Sequence, residues 1–245
     1  MDRKPMIHRR RLFSVLVLIA ASCGSITRAE EKAEEKPAIS PAESLQRLKD
    51  GNRRFITDHL EKSAGKERLV ELVKGQRPIA TVIACADSRV SPELVFNQGL
   101  GDLFVLRVAG NVAVDSQGIV GSAEYAVAHL HVPLVVVMGH ENCGAVKASL
   151  TGDPAPGSLG RLLKAVQVGN QLNLVGAVRN NVIFQADQMV LESNLLRDFV
   201  VSGRIMIVPA VYSLNTGEVT FMDPITWREE KKVAADARPQ ATAAK

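Results

Sequence analysis

Ile79-Ala80-Thr81-Val82-Ile83-Ala84-Cys85-Ala86-Asp87-Ser88-Arg89 runs from six apolar or β-branched residues straight into a thiol, a carboxylate and a guanidinium. A short run of this kind, with no polar alternation, predicts a strand buried on both faces, as in a parallel sheet. Pro133-Leu134-Val135-Val136-Val137-Met138 repeats the pattern and ends in Gly139-His140-Glu141-Asn142-Cys143. Between the two lie a third apolar run, Leu103 to Ala109, and a stretch from Ile119 to Leu130 whose apolar residues Val120, Ala123, Ala126, Val127 and Leu130 have helical spacing. Strands alternating with helices predict an α/β fold, a mostly parallel central sheet flanked by helices. Both chemical clusters then fall beyond the carboxyl ends of strands, where open α/β sheets bind ligands at a switch in strand order.

Of the three cysteines, Cys23 lies near the amino terminus, which leaves Cys85 and Cys143 for the body of the chain. A disulfide between them is the plainer reading. The alternative is a metal site, because Cys143 stands three residues from His140 and a set of two cysteines and one histidine with an open or carboxylate-filled fourth position is the composition of a catalytic zinc site.

The whole chain has 245 residues, 46% hydrophobic and 23% charged, which excludes a disordered or collagen-like protein and a polytopic membrane protein. Its net charge of +4 is misleading, since residues 1–29 carry six basic residues against Asp2 alone and the remaining 24 basic and 25 acidic residues nearly cancel. With no basic patch and only ten aromatic residues, a nucleic-acid partner is not expected. Arg9-Arg10-Arg11 followed by the apolar run Leu12 to Ala21 and by Thr27-Arg28-Ala29 reads as a cleaved export signal over residues 1–29, directing the chain to the periplasm or otherwise out of the cell. Arg10-Arg11-Leu12-Phe13 resembles a twin-arginine signal. The apolar run is too short to span a bilayer. Lipid anchoring at Cys23 ranks below simple cleavage, because Ala20-Ala21-Ser22-Cys23 lacks the leucine of a lipobox. Residues 30–40 read as a linker, 41–230 as one domain, and 231–245 as a disordered Ala/Lys tail.

Cys85-Ala86-Asp87-Ser88-Arg89-Val90 and Gly139-His140-Glu141-Asn142-Cys143-Gly144-Ala145 resemble the C-x-D-S-R and H-x-x-C-G signatures of the β-class carbonic anhydrases. The resemblance extends from about Ser44 to about Asp223, with further matches at Gly75-Gln76-x-Pro78, Phe104-Val105-x-Arg107, Glu124 to Val127 and Arg204 to Tyr212. It implies a zinc enzyme that hydrates carbon dioxide reversibly to bicarbonate and a proton through zinc-bound hydroxide, with Cys85, His140 and Cys143 as metal ligands. Asp87 and Arg89 would form the family's catalytic dyad, Asp87 also serving as fourth ligand in a closed state. Gln76 and the Gly144 N–H would bind substrate, while Phe104, Ala109 and Tyr125 would line a narrow apolar pocket, partly across the interface of a homodimer or dimer of dimers.

Two thiolate ligands oppose the acidifying effect of zinc on water, so an alkaline activity optimum is expected. Val82 occupies the position where one subgroup carries the tryptophan of a bicarbonate-binding switch, which implies that the switch is absent and the site open at neutral to alkaline pH. His59, His129 and His131 are weak candidates for a proton shuttle. Val166 to Ala177 is short relative to the family, which bears on the pocket rim or oligomer contacts. Leu159 to Val200 predicts core-covering helices interrupted at Gly169 and Gly176, and Ser44 to Phe55 an amino-terminal helix. Gly99-x-Gly101 lacks the rest of a dinucleotide loop, and Ser88 has no partners for a nucleophile. Hydrolysis of carbon disulfide or carbonyl sulfide is the alternative on the same fold, and a non-catalytic disulfide-bearing exported domain the alternative of another class.

Overall fold

In a computed structural model the described residues are 38–60, 65–113 and 117–227, so the export signal, the tail and most of the linker lie outside them. A five-stranded sheet has the order β2-β1-β3-β4-β5, where β1 is Ala80–Ala84, β2 Leu103–Arg107, β3 Leu134–His140, β4 Met206–Tyr212 and β5 Val219–Phe221. The first four strands are parallel and β5 returns antiparallel to β4. All residues of β1 and β3 are buried, which explains their unbroken apolar runs. The chain departs from β1 to one side for β2 and to the other for β3, so the strand order reverses between β1 and β3, as expected.

Alternation along the strands divides the core between two faces. Val82, Ala84, Val136, Met138, Val208 and Ala210 pack against Leu48 of α1 (Pro41–Ile56) and Val95 of α3 (Pro92–Val95). Ile83, Val135, Val137 and Ile207 pack against α4 (Gln117–His129), α7 (Leu174–Glu192) and α8 (Asn194–Val201). The remaining helices are α2 (Lys66–Leu72), α5 (Gly144–Thr151) and α6 (Gly157–Ala165). Ser40, the last linker residue, caps α1 by accepting from the Glu43 N–H at 3.1 Å, with Pro41 at the first helical position.

Several expected boundaries move. β2 stops at Arg107, and Ala109 opens a single 3₁₀ turn, Ala109–Asn111, in which Gly110 takes φ 70°. β3 runs two residues beyond Met138, so that His140 is itself the last residue of the strand. Gly169 does separate two helices, but Gly176 lies inside α7: its N–H is the one the Asn173 side chain caps, at 2.8 Å. The link between α6 and α7 is accordingly residues 166–173, shorter than Val166 to Ala177. Gly139 matters for packing, because a Cβ there would come within 2.6 Å of Val182 Cγ1 on α7.

Candidate metal centre

The switch point holds three ligand-type side chains. Cys85 follows β1 directly, His140 ends β3, and Cys143 precedes the first residue of α5. Their ligand atoms all lie within 4.8 Å of one another, and all three residues are buried. The disulfide reading fails here: both cysteines are free thiols with their sulfurs 3.9 Å apart. Two sulfurs at a metal–sulfur distance of about 2.3 Å in tetrahedral array stand about 3.8 Å apart, so the spacing suits zinc.

His140 is oriented by its neighbour. Its Nδ1 lies 2.8 Å from the Glu141 carbonyl, which can only accept, so the proton sits on Nδ1 and the lone pair on Nε2. Nε2 is fully buried and has no hydrogen-bond partner, an orphaned donor atom of the kind a metal satisfies. Glu141 is itself held: its N–H donates to the Tyr212 carbonyl, and its Oε2 accepts from Ser213 Oγ, the Leu214 N–H and Asn215 Nδ2.

Charge at the cluster is arranged for a cation. The Cys85 thiol is held well below its ordinary value, first by the hydrogen bond from Cys143, with His140 and the backbone N–H groups of Asp87 and Gly110 adding to it and burial opposing. The Cys143 thiol is pushed up by the same hydrogen bond and by burial. Beside them Asp87 Oδ2 lies 3.7 Å from His140 Nε2. Arg89 holds Asp87 in a two-pronged grip and its backbone N–H adds a third bond at 3.0 Å, which keeps the carboxyl well below the usual carboxylate range despite partial burial. Arg107 braces the same loop, donating from Nε to the Cys85 carbonyl and from Nη2 to the Asp87 carbonyl at 2.6 Å.

A scan against protein families matches the carbonic anhydrase family over residues 80–219. A carbonic anhydrase of Mycolicibacterium smegmatis is 38% identical over 195 residues, covering 75% of this chain and 94% of the relative. Carbonic anhydrase 2 of Mycobacterium tuberculosis is 35% identical over 201 residues, 77% of this chain and 96% of that one. The Coccomyxa β-carbonic anhydrase, solved in complex with acetazolamide, superposes with a TM-score of 0.60 at 28% identity, over 77% of this chain and 91% of that chain.

This chain belongs to the β-class carbonic anhydrases. It is therefore an enzyme, a lyase whose family's general reaction is the hydration of carbon dioxide and whose members in general depend on zinc.

Within that β-carbonic anhydrase the ten residues singled out in sequence divide into two groups. Asp87, Arg89, Ala109 and Gly144 surround Cys85, His140 and Cys143. Gln76 does not. It lines a cleft of about 750 Å³ together with Pro78, Asp102, His129, His131 and Pro133, at the amino ends of the strands. Ile79 and Cys85, at opposite ends of β1, are separated by about 20 Å of extended chain, so Gln76 cannot reach the cluster of its own subunit. Phe104 and Tyr125 lie with this second group: Tyr125 is half exposed on α4, its ring 6.4 Å from Phe104 and 5.1 Å from His129, which lines the same cleft.

Sequence reasoning missed Gly110, whose N–H donates to Cys85 Sγ at 3.3 Å, and the two buried amides Asn181 and Gln185 behind it. The signal was present as two carboxamides four residues apart on the otherwise apolar face Ala177, Val178, Val182, Ala186 and Met189 of a helix. Among the described residues no helix is long and apolar enough to cross a membrane.

Proposed function

We propose that this chain hydrates carbon dioxide to bicarbonate and a proton at the cluster of Cys85, His140 and Cys143, and that these three side chains hold zinc. The convergence of two thiols and an unpartnered imidazole nitrogen beside a clamped aspartate carries the reading. Zinc bound there supplies Lewis acidity that makes water a nucleophile near neutral pH, an effect the two thiolates temper.

The protein's own groups do the rest. Asp87, ionised because Arg89 holds it, accepts a hydrogen bond from the attacking water and so turns a lone pair toward carbon dioxide. Carbon dioxide is apolar and needs little more than a small dry pocket, which Ala109 helps to wall. The Gly144 N–H opens α5, where N–H groups lack helical acceptors, and nothing lies within 4 Å of where its Cβ would be, leaving room for a bicarbonate oxygen. Carbon gains one oxygen from water, and the released proton must leave by a titratable group.

Gln76, Phe104 and Tyr125 serve the site of a second subunit in this reading. β2 is an edge strand with an unpaired side, and half-exposed Tyr125 packs against Phe104 beside it. A homodimer across that edge, alone or paired into a dimer of dimers, brings Gln76 of one subunit to the cluster of the other, and makes His129, which lines the cleft with Gln76, a candidate for proton exit.

An open state is supported by Val82, which is wholly buried in the core and offers no group that binds bicarbonate. Export by the signal at residues 1–29 completes the proposal, with periplasmic location checked by fractionation of the full-length chain.

The experiment is stopped-flow proton release on mixing carbon dioxide with the zinc-loaded chain. A chelator-sensitive rate rising from neutral to alkaline pH is expected; no rate above buffer with one zinc per chain overturns the reading and turns attention to carbon disulfide and carbonyl sulfide.

A further inference from the structure

The Gly110 N–H reaches Cys85 Sγ at 3.3 Å from a turn whose next residue, Asn111, has a disfavoured backbone. Gly110 and Asn111 are consecutive residues with positive φ, 70° and 46°, and asparagine tolerates that region at a cost. A loop of this kind relaxes unless its neighbours over-determine it.

Two side chains on α7 do that. Asn181 Nδ2 donates to the Gly110 carbonyl at 2.8 Å, and its Oδ1 accepts from the Gln167 N–H at 3.0 Å and from Gln185 Nε2 at 3.2 Å. Gln185 Oε1 accepts from the Ala113 N–H at 2.9 Å, and its Nε2 also donates to the Ala165 carbonyl at 2.8 Å. Both amides are fully buried, so each of these bonds is made in a medium where losing it leaves a stranded polar group. The pair thus pins both ends of the segment 110–113 to one rigid helix.

A hydrogen bond donated to a thiolate draws electron density from sulfur and weakens its donation to a metal, and outer partners of this sort tune a metal site as much as the ligands orient it. We infer that Asn181 and Gln185 are positioning residues: they hold the Gly110 N–H on the Cys85 sulfur and thereby set how electron-rich that ligand is. The inference rests on the proposed metal site and adds to it a control exerted from α7, by residues that touch neither metal nor substrate.

Cobalt(II) replaces zinc as a spectroscopic probe, because its sulfur-to-metal charge-transfer band reports the electron density on the ligating thiolates. In full-length protein carrying Asn181→Leu, an apolar isostere, the band moves to longer wavelength. Val182→Ala, one residue away and equally buried but outside the amide pair, leaves the band in place. A band unmoved in Asn181→Leu overturns the inference, as does an equal shift in Val182→Ala, which would mean general loosening of α7. If Asn181→Leu does not fold, Gln185→Met takes its place; it frees the Ala113 N–H and removes the bonds to the Ala165 carbonyl and Asn181 Oδ1 but leaves Asn181 on the Gly110 carbonyl, so a smaller shift in the same direction is expected and none overturns the inference. Wild-type protein without any such band rejects the metal site itself and this inference with it, an outcome distinct from a wild-type band that the variants fail to move.

Discussion

Arg89 closes on Asp87 with both arms of its guanidinium, Nε to Oδ1 at 2.9 Å and Nη2 to Oδ2 at 2.6 Å, across a single intervening residue. The grip does two things. It keeps the carboxylate ionised, and it holds Oδ2 facing the metal-ligand cluster while its own charge is compensated by arginine.

The folded Asp87 pKa is depressed, so the group is charged at every pH above the ordinary carboxylate range and its contribution to stability is lost only on acidification below that range. Asp87 therefore adds no titration step between pH 6 and 9, so in the proposed mechanism a rise of rate with pH there would belong to the water activated by zinc. Asp87→Ala should retain one zinc per chain by metal analysis and lose about 10²-fold or more in kcat. Full activity in this variant would remove Asp87 from the mechanism.

Cys143→Ser should lose metal and activity together. Serine reproduces the size of cysteine but not a thiolate at neutral pH, so a tetrahedral site is left one ligand short. Metal content and stopped-flow rate, measured on the same preparation, check this.

Separation of Gln76 from Cys85 by the length of β1 makes a complementation test decisive. Gln76→Ala and Asp87→Ala subunits, each poorly active, should recover about a quarter of wild-type activity when mixed and allowed to exchange, because half of random dimers are mixed and one of their two sites is intact. A mixture no more active than its components would place Gln76 outside the partner's site.

His129 packs its ring against Tyr125 at a tilt of 36° and lines the cleft with Gln76. His129→Ala should slow turnover in dilute buffer, be rescued by added imidazole, and leave isotope exchange between carbon dioxide and bicarbonate unchanged, since that exchange does not require proton export. Equal losses at all buffer concentrations would contradict a role in proton exit.

Gly139→Ala should destabilise the fold by about 1–3 kcal/mol, because its methyl group would press on Val182, whose branched side chain has little freedom to yield. Chemical denaturation measures it, and an unchanged midpoint would mean that α7 can back away from β3.

Local sequence carried most of the α/β architecture. The runs around Val82 and Val136 announce buried parallel strands because strands covered on both faces need no polar alternation, and the Cys85 and His140 motifs follow them because ligands gather where strands end. The residues of the cluster were legible for the same reason: spacing within His140-Glu141-Asn142-Cys143 is a local matter, and so is the two-residue reach from Asp87 to Arg89.

What tertiary structure alone decided is which of these residues meet. Residue order puts Gly75-Gln76-Arg77-Pro78 at the amino end of β1 and Cys85 at its carboxyl end, but it does not say that Asp102, His129 and His131 gather beside Gln76, which depends on how β2 and α4 pack around that end. Nor does a helix sequence say that Asn181 meets Gly110, 71 residues away along the chain, or Gln185 meets Ala113, 72 residues away, because such contacts exist only once α7 has packed on β3 through the gap at Gly139. Bonds between chain neighbours follow from the order of residues; bonds that close long loops follow from packing, and it is packing that joins the buried amides to the cysteine sulfur.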